Sequence, residues 1–336
     1  MISSSFSLNS SSLKIGYSIG SILKIKDALY FSSEIYKKEN THSIWAPESW
    51  GKEAFSTLGA ISQVTKKVKI GTSIINVYSR TPATIAMGAI SIDKISDNRM
   101  IVGLGSSTPA IVENLHGVKF HQPIQRMKEY IESLRLLFNS KEKINYDGKI
   151  VKIKDFAILE KSKSYIPIYI AAVNKKMIQL GLEYADGLLL YLRPYNEIKS
   201  LIDQISKNNK LNFCKSLVLI TSVSNKKPQK AKERVAKTLA FYLSVGKVYY
   251  NFLSGIEEYK AEVEEIFKEY HNHGLQRASN KVTSKMLDDL VVYGSVNDCK
   301  NQIKRFAKTG IDLPILQINP IIDDMGELDY KDFLEL

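Results

Sequence analysis

The chain has 336 residues, a hydrophobic fraction of 44%, a charged fraction of 24% and a net charge of +12. These fractions are typical of a water-soluble globular protein, and no apolar run approaches the roughly 18 residues that span a bilayer. We therefore expect no membrane segment. Residues 1–12 are rich in serine and lack the basic start of a secretion signal, so they predict a flexible leader. Two cysteines are too few for a disulfide framework, which fits a cytoplasmic protein.

The basic charge is spread along the chain and does not form one stripe. In "KAKERVAK" and "KAEVEEIFKEY" the lysines alternate with acidic residues, as on solvated helix faces. We therefore expect no nucleic-acid partner, whereas an anionic cofactor or small-molecule substrate suits the charge. His271 and His273 have no cysteine or carboxylate cluster beside them, so no metal site is predicted.

Strand-like and helix-like segments alternate along most of the chain, which is the pattern of parallel βα units. Eight segments read as strands: "LKIGYSIG", "HSIWAP", "VKIGTSIINV", "RMIVGLGSS", "IPIYIAAV", "DGLLLYL", "SLVLITSVS" and "LPILQINP". Eight is the number that closes a TIM (β/α)8 barrel, so we predict an α/β protein of this fold.

Two longer segments interrupt the repeat. Residues 109–165 follow the fourth strand and contain a helix and a hairpin around "NYDGK", and residues 245–285 follow the seventh strand. We interpret both as insertions on one barrel domain that spans residues 13–336. Active sites of such barrels lie at the carboxyl ends of the strands, so we expect the functional residues there.

The third strand ends in a polar interruption. In "KIGTSIINVYSRTP" the β-branched run of a buried strand gives way to small and polar residues around Ser73, Ile74 and Asn76. Space and hydrogen-bonding groups at a strand end indicate that something other than protein side chains fills this space.

The fourth strand ends in "GLGSS". Without the third glycine of a GxGxxG motif, this segment is a weak dinucleotide signal. At a barrel strand end, Gly103 and Gly105 would let a flat ring approach the backbone, with Ser106 and Ser107 as donors. A tight turn explains the same residues.

The fifth strand ends in "AAVNKK". Asn174 is a predicted helix N-cap, so Lys175 and Lys176 fall in the first helical turn, where cations oppose the helix dipole. A phosphate bound there, next to Ala171 and Ala172, would account for them. The alternative is that they are surface lysines of a lysine-rich chain.

Glu48 is the candidate catalytic residue. It lies between Trp45 and Trp50 in "WAPESWG", where partial desolvation would raise the pKa of a carboxyl group toward that of a general acid. An exposed glutamate at a helix start is the other interpretation.

The order of these motifs resembles one known family. "WAPESWG…AFSTLGAISQVTKKVKIGTSIINVYSRTPATIAMGAISIDKISDNRMIVGLGSS", "IPIYIAAVNKKM…YADGLLL" and "YGSVNDCKNQIKRFAKTGID" together resemble the bacterial luciferase-like superfamily. Within it they are most similar to the branch that depends on the deazaflavin coenzyme F420 and includes methylene-tetrahydromethanopterin reductase. The resemblance covers nearly everything after the leader.

The resemblance implies an F420-dependent oxidoreductase that transfers a hydride to or from a small organic substrate. It implies a cofactor at the strand ends, with its ring against Ser73 and Ile74 and Asn76 beside it. It also implies that the phosphate lies near the fifth strand and that the peptide bond between Ser73 and Ile74 is cis. A homodimer is also implied. The alternatives are an FMN-dependent monooxygenase and a flavin-binding protein without turnover.

The chain departs from this branch at two places. The reductases carry a carboxylate in the first strand, where this chain has Ser18, and an Asp-His pair after the second strand, where it has "PES". Glu48 is the residue placed to replace the missing acid.

Overall fold

A closed barrel of eight parallel strands forms the centre of the computed structural model, which describes residues 13–206 and 212–336. The strands are β1 (Ile15–Ser18), β2 (Thr41–Ala46), β3 (Lys69–Thr72), β4 (Met100–Gly105), β5 (Ile168–Ala171), β6 (Gly187–Tyr191), β7 (Cys214–Val223) and β8 (Leu313–Ile318). Each strand pairs with the next, and β8 pairs with β1 to close the barrel. The predicted TIM barrel is therefore confirmed, strand by strand. The predicted leader, residues 1–12, lies outside the described residues.

Helices surround the barrel and cover one end of it. They are α1 (Ile25–Ile35), α2 (Ala54–Val64), α3 (Pro82–Ile95), α4 (Pro123–Asn139), α5 (Lys175–Tyr184), α6 (Tyr195–Ser206), α7 (Pro228–Val245), α8 (Lys247–Ser254), α9 (Glu257–His273), α10 (Leu275–Ser279), α11 (Ser284–Leu290) and α12 (Val296–Ala307). Thr81 caps α3 with Pro82 in its first turn, and Ser295 with Asp298 forms a capping box on α12. No helix among the described residues combines the length and apolarity needed to cross a membrane.

The first insertion range holds three elements. A π-helical turn (Ile111–Leu115) comes first, then α4, then an antiparallel hairpin of the strands Ile144–Asp147 and Lys152–Phe156. Because α4 packs against both α3 and α5, it takes the position of the fourth barrel helix. The elaboration of the barrel is thus the π turn and the hairpin, and the hairpin predicted around "NYDGK" is confirmed.

The second insertion range holds α8, α9 and α10, which pack with α7 around a second apolar core. Leu239 and Leu243 of α7, Leu253 of α8 and Val263 of α9 are fully buried in it. A short strand, Val291–Gly294, then pairs with the end of β7 before α12 begins. Helices α7 and α8 supply side chains to the carboxyl end of the barrel.

The barrel interior is filled by large side chains. Trp45, Tyr169, Leu189, Val218 and Ile315 form this layer, and Trp45 is fully buried. The indole nitrogen of Trp45 donates to Ser43 Oγ at 2.7 Å, so its polar atom is satisfied. A packed interior leaves the carboxyl edge as the place where a ligand can enter.

Candidate cofactor site

A cavity of about 620 Å³ lies at the carboxyl ends of the barrel strands. The segments after β1 to β5 all contribute to its wall, as do α7 and α8. Its volume falls within the about 300–1,000 Å³ of cofactor and small-molecule sites. The cavity is therefore where the barrel geometry predicts an active site.

The end of the third strand forms one wall. Ser73 and Ile74 line the cavity, and the peptide bond between them is cis, as the family resemblance implies. Ser73 N–H donates to Ala46 O at 2.9 Å, and Glu48 N–H donates to Ile74 O at 3.3 Å. These bonds attach the segment after β3 to the segment after β2.

Asn76 lies behind this wall and is not among the described residues that line the cavity. Its side chain is buried, and its Oδ1 accepts a hydrogen bond from Tyr78 N–H at 2.9 Å. Its Nδ2 has no hydrogen-bond partner in the described part of the chain. The contact with a cofactor predicted for Asn76 remains a prediction.

The segment after the fourth strand lines the cavity from Gly105 to Thr108. Ser107 has a φ of 58°, in the left-handed region. A Cβ on Gly105 would lie 2.6 Å from Ile74 Cδ1, so this glycine makes room for the Ile74 side chain. The space that we expected a ring to use at Gly105 is thus partly taken by protein.

Gly103 lies below the cavity, inside the barrel. A Cβ there would lie 2.0 Å from the carbonyl oxygen of Thr72 and 2.9 Å from Leu189 Cδ1. Thr72 Oγ1 also donates to Gly103 O and accepts from Gly103 N–H, both at 2.8 Å. Glycine is required at this position because β3 approaches the backbone of β4 closely.

The segment after the fifth strand reaches the cavity with Ala171 and Asn174, whereas Ala172 is buried behind it. Asn174 is the N-cap of α5, as predicted, and its Oδ1 accepts from Met177 N–H at 3.0 Å. Lys175 and Lys176 occupy the first turn with exposed side chains. In the described part of the chain their backbone N–H groups make no hydrogen bond, and the cap occupies the Met177 amide, so both groups can bind an anion.

Glu48 lines the cavity but is held by an ion pair. Arg80 Nε donates to Glu48 Oε1 and Arg80 Nη2 donates to Glu48 Oε2, both at 2.9 Å. Ala54 N–H also donates to Oε2, at 3.2 Å, and Arg80 contacts Glu53 as well. The hydrogen bonds with Glu48 raise the pKa of Arg80. Both carboxylate oxygens thus already accept hydrogen bonds, an arrangement that suits loop positioning, and the catalytic role of Glu48 remains a prediction.

An aromatic wall of the cavity was not predicted. Tyr191 of β6, Tyr242 of α7 and Tyr249 of α8 line the cavity, with ring centroids 5.3 to 5.9 Å apart. Tyr191 OH donates to Gln317 Oε1 at 2.7 Å, and burial raises the pKa of Tyr191. The aromatic-rich run "FYLSVGKVYYNF" in residues 241–252 is the sequence signal that could have located this wall.

The surroundings of the cavity fit a flat ring system with an anionic tail. Its base is apolar, from Ile74, Leu189 and Val218, and it is faced by the aromatic wall. At the β4 and β5 side it is polar, with the hydroxyls of Ser106 and Ser107 and the N-terminus of α5. A ring can be enclosed by the apolar part while a phosphate meets hydroxyls and backbone amides.

The fold and this cavity define a (β/α)8-barrel enzyme with a cofactor-sized site. A family model described as luciferase-like monooxygenase matches residues 41–313. The chain therefore belongs to the luciferase-like monooxygenase family, and it is an oxidoreductase. The family resemblance of the motifs is confirmed.

One curated relative and two solved structures are similar to the chain. The 5,10-methylenetetrahydromethanopterin reductase of Archaeoglobus fulgidus is 27% identical over 302 residues, which cover 85% of this chain and 89% of that protein. The coenzyme F420 dependent tetrahydromethanopterin reductase of Methanopyrus kandleri superposes with a TM-score of 0.78 at 19% identity, covering 91% of this chain and 93% of that one. The oxygenating constituent of 3,6-diketocamphane monooxygenase from Pseudomonas putida, in complex with FMN, has a TM-score of 0.64 at 12% identity, covering 96% and 95%.

Proposed function

We propose that the protein is a coenzyme F420-dependent oxidoreductase that transfers a hydride between the deazaflavin and a small organic substrate. The observation that carries the proposal is the match over most of the chain to a methylenetetrahydromethanopterin reductase. The cavity supports it, because an apolar base and a polar end together suit a deazaflavin ring and its phosphate. Bound deazaflavin supplies the hydride donor and acceptor, and the protein positions its reactive face.

The residues of this chain have distinct tasks in the proposal. Ser73 and Ile74 form the surface against which the ring lies, and the N-terminus of α5 holds the phosphate with help from Lys175 and Lys176. Tyr191 and Tyr249 exclude water from the opposite side. A closed, apolar environment favours hydride transfer to the substrate over side reactions with solvent.

The first candidate substrate is methylene-tetrahydromethanopterin, because the relative from Archaeoglobus fulgidus bears its name. Ser18 lines the cavity at the position where the reductases carry a carboxylate. This difference favours a substrate that needs no acid from β1.

An FMN-dependent monooxygenase is the second candidate. The description of the family and the FMN-bound neighbour from Pseudomonas putida favour it. The two candidates differ in what the reduced cofactor reacts with, since reduced flavin reacts with oxygen and reduced deazaflavin acts as a hydride carrier.

Turnover experiments separate these candidates. We expect reduced F420 to be oxidised by methylene-tetrahydromethanopterin or another small electrophile under anaerobic conditions, in proportion to the enzyme added. Oxygen consumption with reduced FMN and no anaerobic oxidation of F420 would contradict the proposal. Binding of either cofactor with neither reaction would identify a flavin-binding protein without turnover.

A further inference from the structure

A small chamber adjoins the cofactor cavity on the side of β8. Its volume is about 170 Å³, and it shares Ser21, Trp50, Tyr242 and Gln317 with the larger cavity. This volume is below the about 300 Å³ at which pockets begin to enclose whole ligands. The chamber therefore has the size for one functional group of a ligand bound in the main cavity.

Two cationic residues of α7 line the chamber. Arg234 and Lys237 are three residues apart and lie on the same side of the helix. Phe241, one turn further along this side, lines both the chamber and the main cavity. The cationic positions thus continue the wall of the cofactor site.

Arg234 is half-buried and has no counter-charge among the described residues. Its Nε is buried with no hydrogen-bond partner, and its guanidinium has no ion pair, within the described ranges 13–206 and 212–336. Burial lowers the pKa of Arg234, and no neighbouring carboxylate opposes that effect. Lys237 Nζ has one neutral acceptor, Gln276 Oε1, at 3.4 Å. A partly buried cation without an anionic partner loses solvation that an anionic ligand would offset.

The chamber lies across the barrel from the proposed phosphate site. Gln317, Ile318 and Ser21 place it at β8 and β1, whereas the N-terminus of α5 follows β5. In the closed barrel β1 and β5 are four strands apart in either direction, so they lie on opposite sides. The chamber is therefore placed for the substrate and away from the phosphate of the cofactor.

We propose that Arg234 and Lys237 bind a carboxylate or phosphate group of the substrate, which makes the substrate an anionic organic molecule. The planar guanidinium of Arg234 matches both groups, since each offers two oxygens to its fork of donors. That the bound anion belongs to the substrate rests on the proposed function. The binding of an anion in the chamber can be measured independently of any cofactor.

The chain provides its own reporter for the test. It has two tryptophans, of which Trp45 is fully buried and Trp50, 52% exposed, lines the chamber. Titration of the full-length protein with malonate and with inorganic phosphate should give saturable changes in tryptophan fluorescence that are lost in Trp50→Phe. Arg234→Gln should weaken this binding at least about tenfold, the usual cost of a lost charge-assisted hydrogen bond. Arg234→Lys, which keeps the charge but not the fork, should recover part of it.

Lys232→Gln is the matched control, because it removes one charge from the same helix and its Nζ contacts Ser284 Oγ outside the chamber. It should leave anion affinity unchanged. Wild-type protein that binds neither anion, or equal losses in Arg234→Gln and Lys232→Gln, would overturn the proposal.

Titration of Arg234→Gln with F420 separates the two sources of an anion. Unchanged F420 affinity supports a substrate group in the chamber. A loss of tenfold or more would assign the chamber to the cofactor tail and overturn the substrate class, while leaving F420 dependence intact.

Discussion

Glu48 and Arg80 form an ion pair that joins the segments after β2 and β3 at the edge of the cavity. Their side chains are 13% and 24% exposed, and two hydrogen bonds of 2.9 Å connect them. The residues are 32 positions apart in the chain. The pair fixes the segment that presents Ile74 to the cavity, because Glu48 N–H also binds Ile74 O.

Removing either partner should therefore destabilise the fold. We expect Glu48→Gln and Arg80→Gln each to lower the free energy of unfolding by about 1–2 kcal/mol, and the double variant to lose less than the sum. Urea unfolding of the four proteins measures this coupling. The exposed Lys37–Glu34 pair is the control and should show none. Additive losses of unfolding free energy at Glu48 and Arg80 would contradict a structural ion pair and favour Glu48 as a general acid.

A substitution at Gly103 tests whether β4 needs glycine there because of barrel packing or because of the cofactor. Gly103→Ala would place a methyl group 2.0 Å from Thr72 O, so we expect a loss of at least about 1–3 kcal/mol in urea unfolding. Gly59→Ala in α2 is the control, since its Cβ would meet only Ile92 Cδ1, at 3.4 Å, and alanine favours a helix. Normal stability with impaired cofactor binding in Gly103→Ala would instead place Gly103 in the cofactor wall.

Among the elements, the hairpin of the first insertion is attached to α4 by the Glu129 carboxylate and by a hydrogen bond from Tyr146 OH to Glu132 Oε2 at 2.6 Å. Glu129 is 1% exposed and accepts hydrogen bonds from Lys149, Ile150 and Val151 N–H at 2.7 to 2.9 Å. Burial alone would raise the pKa of Glu129, but these bonds and one from Gln125 outweigh it and lower the pKa.

The lowered pKa of Glu129 predicts that the stability of the fold depends on pH. A carboxylate with a lower pKa in the folded than in the unfolded chain stabilises the fold above its ordinary pKa, here 4.5, and this stability is lost as the pH falls through the folded-state pKa. Glu129→Gln should be less stable than wild type by about 1–3 kcal/mol at neutral pH, because the amide group faces backbone donors. The difference should shrink as the pH falls below 4.5. Urea unfolding at several pH values measures it, and a pH-independent difference, or an equal effect of the exposed Glu142→Gln, would contradict this role.

The next prediction concerns binding of the cofactor phosphate at the N-terminus of α5. We expect Lys175→Gln combined with Lys176→Gln to weaken binding of F420 but to leave binding of the same deazaflavin chromophore without phosphate unchanged. Lys308→Gln, an exposed charge at the end of α12, is the control. Fluorescence titration of both ligands gives the two affinities. Equal losses for both ligands would show that the lysines do not act on the phosphate.

The whole barrel could be predicted from the sequence, because apolar β-branched runs identify buried parallel strands, as in β3 and β5. The caps at Thr81 and Ser295 could also be predicted, because capping depends on residues only three positions apart in the sequence. The sequence predicts helix α4 as part of an insertion, because its place between α3 and α5 depends on tertiary packing, which no local pattern shows.

The site was predictable only where it follows strand ends. Ser73, Ile74 and Asn174 border the cavity as expected, because every strand end of a barrel meets the same edge. The pairing of Glu48 with Arg80 and the chamber at Arg234 depend on contacts between distant segments, so no local pattern revealed them.

The most direct test of the account is a side-by-side titration of the full-length protein with F420 and with FMN under the same conditions. Both cofactors carry a ring and a phosphate, so their affinities compare how well the cavity fits each one. We expect tight binding of F420 and much weaker binding of FMN. Tighter binding of FMN would contradict it and favour the monooxygenase.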